Sequence, residues 1–215
     1  MRLGPARRSA TWHDPRLRAP AAGVERRRWA IGLIVDGRRA RLTGAVVRVP
    51  APPIWPWLLL AAPFVLAAAL VLRNGDTRTH ERAAAALGAV AAAATIVAAL
   101  DFALDRYASA GTWVESANEL VFTVVGLLVL AFGGRSARLA AGGALGTLGV
   151  FVGLTKFASL LDGVVLSALP VTATRAAVVL ALAAGAAALT IAARCLIGGS
   201  APAAVGRAPD SFWES

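Results

Sequence analysis

Seven ionisable side chains lie in or beside apolar stretches of this chain and gather toward one end of them: Asp101, Asp105, Glu115, Glu119, Lys156, Asp162 and Arg175. Charged groups are costly in hydrocarbon and face a bundle interior or water. Asp101 and Asp105 are four residues apart, as are Glu115 and Glu119, with Asn118 beside the second pair. Residues at that spacing share a helix face. The stretch between the pairs is short, so they are expected to be neighbours. Oxygen ligands from two adjacent helices suit a hard cation or a proton relay. The structural alternative is that Glu115 and Glu119 answer a helix N-terminus, where the dipole favours anions. Lys156, Asp162 and Arg175 would then neutralise the rest and pin helices together.

Other chemistry is poorly provided for. The sequence has no G-x-S-x-G elbow, no H-E-x-x-H pair and no P-loop. Its only histidines are His13 and His80, and the topology below puts them on opposite faces. His13 with Asp14 would join a metal site only within a larger β domain. Ser159 and Ser167 have no histidine nearby. No catalytic residue, cofactor or resident metal is therefore expected. The single cysteine, Cys195, cannot form an internal disulfide and reads as a packing residue.

The elements that carry these groups are five apolar stretches. They are Ile54–Leu72, then about Ala83–Leu104, Trp113–Phe132, Leu139–Leu161 and Thr172–Ala193. About 20 apolar residues, rising about 1.5 Å each, cross a ~30 Å hydrocarbon core. Hydrophobic residues make up 58% of the chain and charged residues 16%, against about 25% charged in a soluble domain. The second stretch is rich in alanine and suits close packing. The fourth carries Gly142, Gly146, Gly149 and Gly153 as two G-x-x-x-G pairs, which let helix backbones approach in lipid. They predict packing within the bundle or, alternatively, a homo-oligomer or partner interface. Trp55, Trp57, Tyr107 and Trp113 mark one headgroup level.

Residues 1–27 form a basic tail rich in Arg and Pro, without periodicity. Over 28–49 the pattern alternates: Trp29, Ile31, Leu33 and Val35, then Asp36-Gly37, then Ala40, Leu42, Gly44 and Val46. That is a β-hairpin with a two-residue turn. Pro50, Pro52 and Pro53 close the 28–53 unit, the spans occupy 54–194, and 195–215 is a tail. The expected fold is an all-α membrane bundle of about five helices preceded by a short β-hairpin. Two strands alone expose two edges and are marginal in water. The hairpin therefore asks for a surface to pack on.

Five spans place the N-terminal segment, the 2–3 link and the 4–5 link on one side, called side A. The short links and tail of side B carry Arg73, Arg78, Arg82, Arg135, Arg138, Arg194 and Arg207, against Arg106, Lys156 and Arg175 on side A. The positive-inside rule, counted on short loops, puts side B in the cytoplasm. Residues 1–53 add 12 Arg to side A and reverse the count. Those arginines read as headgroup contacts. No recognisable nucleic-acid module accompanies them, so no nucleic-acid partner is expected. No apolar signal-peptide region opens the chain.

Trp12-His13-Asp14, the Asp36-Gly37 hairpin, VRVPAPPIWPW entering the first span, and SALPVTATRAAVVLALAAG (Ser167–Gly185) together resemble a group of actinobacterial multi-span membrane proteins of unknown function. Those proteins begin with a signal peptide and an extracytoplasmic β domain and end in several spans. The chain is similar to their C-terminal part, which implies a truncated member or a gene start placed too late. It also implies that side A faces outward. The expectation is a multi-pass cell-membrane protein, not an enzyme, that anchors an extracytoplasmic β domain or partner. The alternative is a small transporter or ion-handling protein using the side A carboxylates.

Overall fold

Alternation builds the N-terminal unit as expected. The computed structural model describes residues 25–35, 37–105, 108–165 and 167–198. Residues 1–24 (with the Trp12-His13-Asp14 stretch), Asp36, Arg106, Tyr107, Leu166 and residues 199–215 lie outside them. Strand β1 (Arg26–Val35) pairs antiparallel with β2 (Arg38–Val47), from Val35↔Arg38 to Arg26↔Val47. The connection is two residues long, and Gly37 takes φ +75°, the left-handed backbone such a turn requires. Because side chains alternate faces, this register puts Trp29, Ile31, Leu33 and Leu42 on one face and Arg26, Arg28, Arg39 and Arg41 on the other. The Trp29 ring lies against Gly44, where even a β-carbon would collide with it. Among the described residues the sheet has two strands only, so both outer edges are unpaired.

Five helices of the second unit are long and apolar enough to cross a membrane. They are α1 (Trp55–Asn74), α2 (Thr77–Leu104), α3 (Ala110–Phe132), α4 (Arg135–Thr155) and α6 (Val171–Gly198), with the single turn α5 (Ala158–Leu161) after α4. Several boundaries differ from the apolar runs. Helix α2 starts at Thr77, ahead of its apolar part, because Asp76 caps it by accepting a hydrogen bond from the Thr79 N–H at 2.7 Å. Helix α4 starts at Arg135 and stops at Thr155. The expected span to Leu161 is broken at Lys156, whose backbone leaves the helix as its side chain turns inward. Helix α6 runs on to Gly198.

Hydrogen bonds from the Thr79 side chain and backbone, with Arg78 and Arg82 nearby, lower the Asp76 carboxyl below its ordinary value. A depressed carboxyl contributes stability above its unfolded pKa, about 3.9, and loses it as pH falls through the folded value. Amide exchange in Thr77–Arg82, corrected for intrinsic rates, is expected to be flat from pH 7 to about 5 and to accelerate below about 4. In Asp76→Ala it should be fast throughout.

Helices α2, α4 and α6 pack on one another. Helix α1 lies against α6, and α3 against α2 and α4. The inner contacts are made by small residues. Ala84, Ala91, Ala98, Ala181, Ala184 and Ala188 are fully buried or nearly so. Many large apolar side chains point outward: Leu59, Leu66, Phe122, Phe132 and Leu154 are all exposed, while Leu145 and Ile191 are the largest buried ones. A soluble bundle would reverse this arrangement. Here close backbone approach supplies the packing and the large side chains present a surface for lipid. The exposed Trp55 and Trp113 stand at one end, as expected of headgroup anchors.

The glycine stripe of α4 is used inside the chain. A β-carbon at Gly142 would lie 2.7 Å from the Ala84 carbonyl oxygen, at Gly146 2.7 Å from that of Gly185, and at Gly149 2.7 Å from that of Ala181. Gly153 faces Leu182 in the same way. The stripe therefore closes on the chain's own α2 and α6, the packing within the bundle that its spacing predicts.

Candidate functional site

The end of the bundle formed by the C-termini of α2 and α4 and the N-termini of α3 and α6 holds all the expected polar residues, in separate arrangements. Its centre is an ion pair. The Lys156 ammonium lies 2.5 Å from Glu119 Oε1, with side chains only 7% and 3% exposed. Glu115, half-exposed one turn earlier on α3, is 3.6 Å from the same ammonium. The Phe102 ring centre is 5.4 Å away, within cation–π range. The break in α4 delivers this lysine. A helix continued through residue 156 would not need the turn that follows, where Ser159 donates to the Lys156 carbonyl at 2.7 Å.

Asp101 makes no contact of that kind. Its Oδ1 accepts the Leu169 N–H at 2.6 Å and its Oδ2 the Thr174 hydroxyl at 2.6 Å. This buried carboxylate on α2 ties down the entry to α6, where the dipole favours an anion. Replacing Asp101 by alanine strands both donors. With about 1.5–3 kcal/mol for a hydrogen bond to a charged group, a loss of about 3 kcal/mol is expected in thermal unfolding in detergent, with Asp101→Asn losing less.

Asp101 and Asp105 are not brought to one site: Asp101 is buried against the start of α6, whereas Asp105, the C-cap residue of α2, lines the cavity described next. Arg175 is corrected as a counter-charge. Its guanidinium donates to the backbone carbonyls of Ser159 at 2.8 Å and Asp162 at 2.5 Å. It holds the chain that leaves α5 against α6. Asn118 is exposed and joins no cluster.

What does converge is a cavity of about 490 Å³. Asp105, Glu115, Asp162 and Lys156 line it, with Ser116 and Phe102. Of the two carboxylate pairs, Asp105 and Glu115 line this cavity together, while Asp101 and Glu119 have separate partners. Two buried oxygens at this end have no hydrogen-bond partner, Ser116 Oγ and Glu119 Oε2. Among the described residues no three His, Cys, Asp or Glu are placed to hold one metal ion.

Ser116 and Thr174 were not singled out by the sequence. Thr174, in the first turn after Pro170, carried a weak signal as a polar residue at a helix start. Ser116, one residue from Glu115, carried none. At the opposite end Arg135 pairs with Glu81, linking the starts of α4 and α2.

The five helices, their small-residue interior and apolar exterior define a multi-pass membrane protein. No protein-family model, curated protein or solved structure was found to match the chain.

Proposed function

We propose that the chain is a non-enzymatic membrane anchor or subunit of the cell membrane, its bundle holding a β-hairpin for an extracytoplasmic partner or for further strands. The observation that carries this reading is the hairpin: among the described residues it has two strands and two open edges, with Ile34, Leu42 and Val47 exposed. An open edge is a template for strand addition. The resemblance to actinobacterial membrane proteins with a β domain supports the same reading, with side A outward. Photo-crosslinking residues at Ile34 and Leu42, in the native membrane at native expression, should each give the same discrete adduct. Absence of any adduct from every hairpin position counts against the reading.

The Lys156–Glu119 pair beside an acidic cavity favours a second reading, cation or proton handling at this end. Membrane-embedded ion pairs mark such pathways. In reconstituted vesicles the double variant Lys156→Met, Glu119→Gln should abolish proton or monovalent-cation flux. Flux that is unchanged, or never present, rejects this reading.

A further inference from the structure

We infer that the end of the bundle opposite Lys156 and Glu119 binds anionic phospholipid headgroups on a rim of arginines. One packed cluster carries the inference. In it Ala68, Ala84, Ile191 and Ala192 are buried, and Leu72, Ala83 and Leu139 pack against them. The cluster joins α1, α2, α4 and α6. On its outer side each of these helices carries an exposed arginine within two residues of it: Arg73, Arg82, Arg138 and Arg194. Along a helix two residues are about 3 Å. The four side chains therefore start beside one another in depth, around one packed end.

These arginines lack carboxylate partners. Among the described residues this end holds two acids: Glu81 pairs with Arg135, and Asp76, near Arg78 and Arg82, caps α2. Among the described residues no ion pair involves Arg73, Arg82, Arg138 or Arg194. Arg138 reaches only the Ala131 carbonyl, at 3.4 Å. Gathered like charges without counter-charges attract an anion, and the guanidinium fork matches phosphate oxygens. The surroundings select a lipid over a soluble anion. Leu70, Phe132 and Ile197 are exposed at the same end and offer acyl chains a surface beside the arginines. Basic residues at the ends of spans draw anionic lipid in this way. The opposite end repels it, since there Asp101, Asp105, Glu115, Glu119 and Asp162 stand against Lys156 and Arg175.

The test reconstitutes the full chain in phosphatidylcholine bilayers with a minor share of phosphatidylglycerol. Electron paramagnetic resonance compares spin-labelled phosphatidylglycerol with spin-labelled phosphatidylcholine by the fraction immobilised on the protein. Phosphatidylglycerol should be preferred severalfold, and added salt should reduce the preference. In the combined variant Arg73→Gln, Arg82→Gln, Arg138→Gln, Arg194→Gln the preference should vanish. The same four positions changed to lysine keep the charge and should keep most of it. An unchanged thermal midpoint in pure phosphatidylcholine shows that the glutamine variant is folded. Where the midpoint falls, Arg82→Gln and Arg194→Gln singly take its place, each expected to lower the preference in part. Arg39→Gln with Arg41→Gln, in the hairpin, should leave it unchanged. No preference in the native chain, a preference that survives the glutamine variants, or its loss in the hairpin variant overturns the inference. Loss of the preference to soluble glycerol phosphate, at matched ionic strength, overturns it as well, because the surface would then be a site for a soluble anion.

Discussion

Replacing Lys156 by methionine should destabilise the bundle by about 3–5 kcal/mol, the cost of stranding a buried charge. The lysine's partner, Glu119, is 3% exposed and has one carboxylate oxygen already unpaired. Without the ammonium it must ionise alone in the bundle or take a proton. Glu115 cannot help, since it carries the same charge. The double variant Lys156→Met, Glu119→Gln removes both charges and should recover most of the loss, because a buried pair contributes little beyond what it prevents. Unfolding in detergent of the two single variants and the double variant gives the coupling directly. A double variant no more stable than Lys156→Met would show that the pair does not act as a unit.

Substituting Gly146 by leucine should be comparably severe, about 3 kcal/mol or more. A β-carbon there would sit 2.7 Å from the Gly185 carbonyl oxygen and 2.9 Å from the Leu189 nitrogen. Both atoms belong to the backbone of α6, so no rotamer change relieves the contact. Helices α4 and α6 would have to separate. Gly111→Ala provides the contrast, since its nearest atom is the Ser109 hydroxyl oxygen at 3.6 Å. There the gain in helix propensity, up to about 1 kcal/mol, should leave stability unchanged or slightly raised. Equal losses at both positions would mean that glycine is needed for backbone freedom and not for close approach.

These two positions also show what a sequence discloses here. Gly146 was readable, because spacing on one helix fixes which residues share a face and small residues fix how closely it packs. The helix that closes on it was not, and the face proved to be filled from within the chain. The hairpin was readable for the same local reason, through its alternation and a turn that needs positive φ. Lys156 was legible as a charge in an apolar run, but the break that aims it at Glu119 was not. The run 139–161 looks continuous in hydropathy, whereas the helix stops where a buried charge must meet its partner. Asp101 and Asp105 were readable as a pair by spacing, but not that one would tie down the start of α6 and the other line the cavity. Arg175 was expected to answer a carboxylate and answers two carbonyls, a choice made by the fold of the link from α5 to α6. Local periodicity reads elements; partner choice among charges is decided by tertiary placement.

If the five helices cross the membrane, Asp101, Glu119, Lys156 and Arg175 lie toward one face of it and the Arg135–Glu81 pair toward the other. Single-cysteine labelling tests this arrangement most directly. In a Cys195→Ser background, Ser109→Cys and Ala168→Cys mark the polar end, and Thr77→Cys and Ser136→Cys mark the other. With an impermeant maleimide on sealed vesicles of known orientation, the first two should label from one side only and the last two from the opposite side only. Labelling of either polar-end cysteine from the same side as Thr77→Cys or Ser136→Cys would contradict the account.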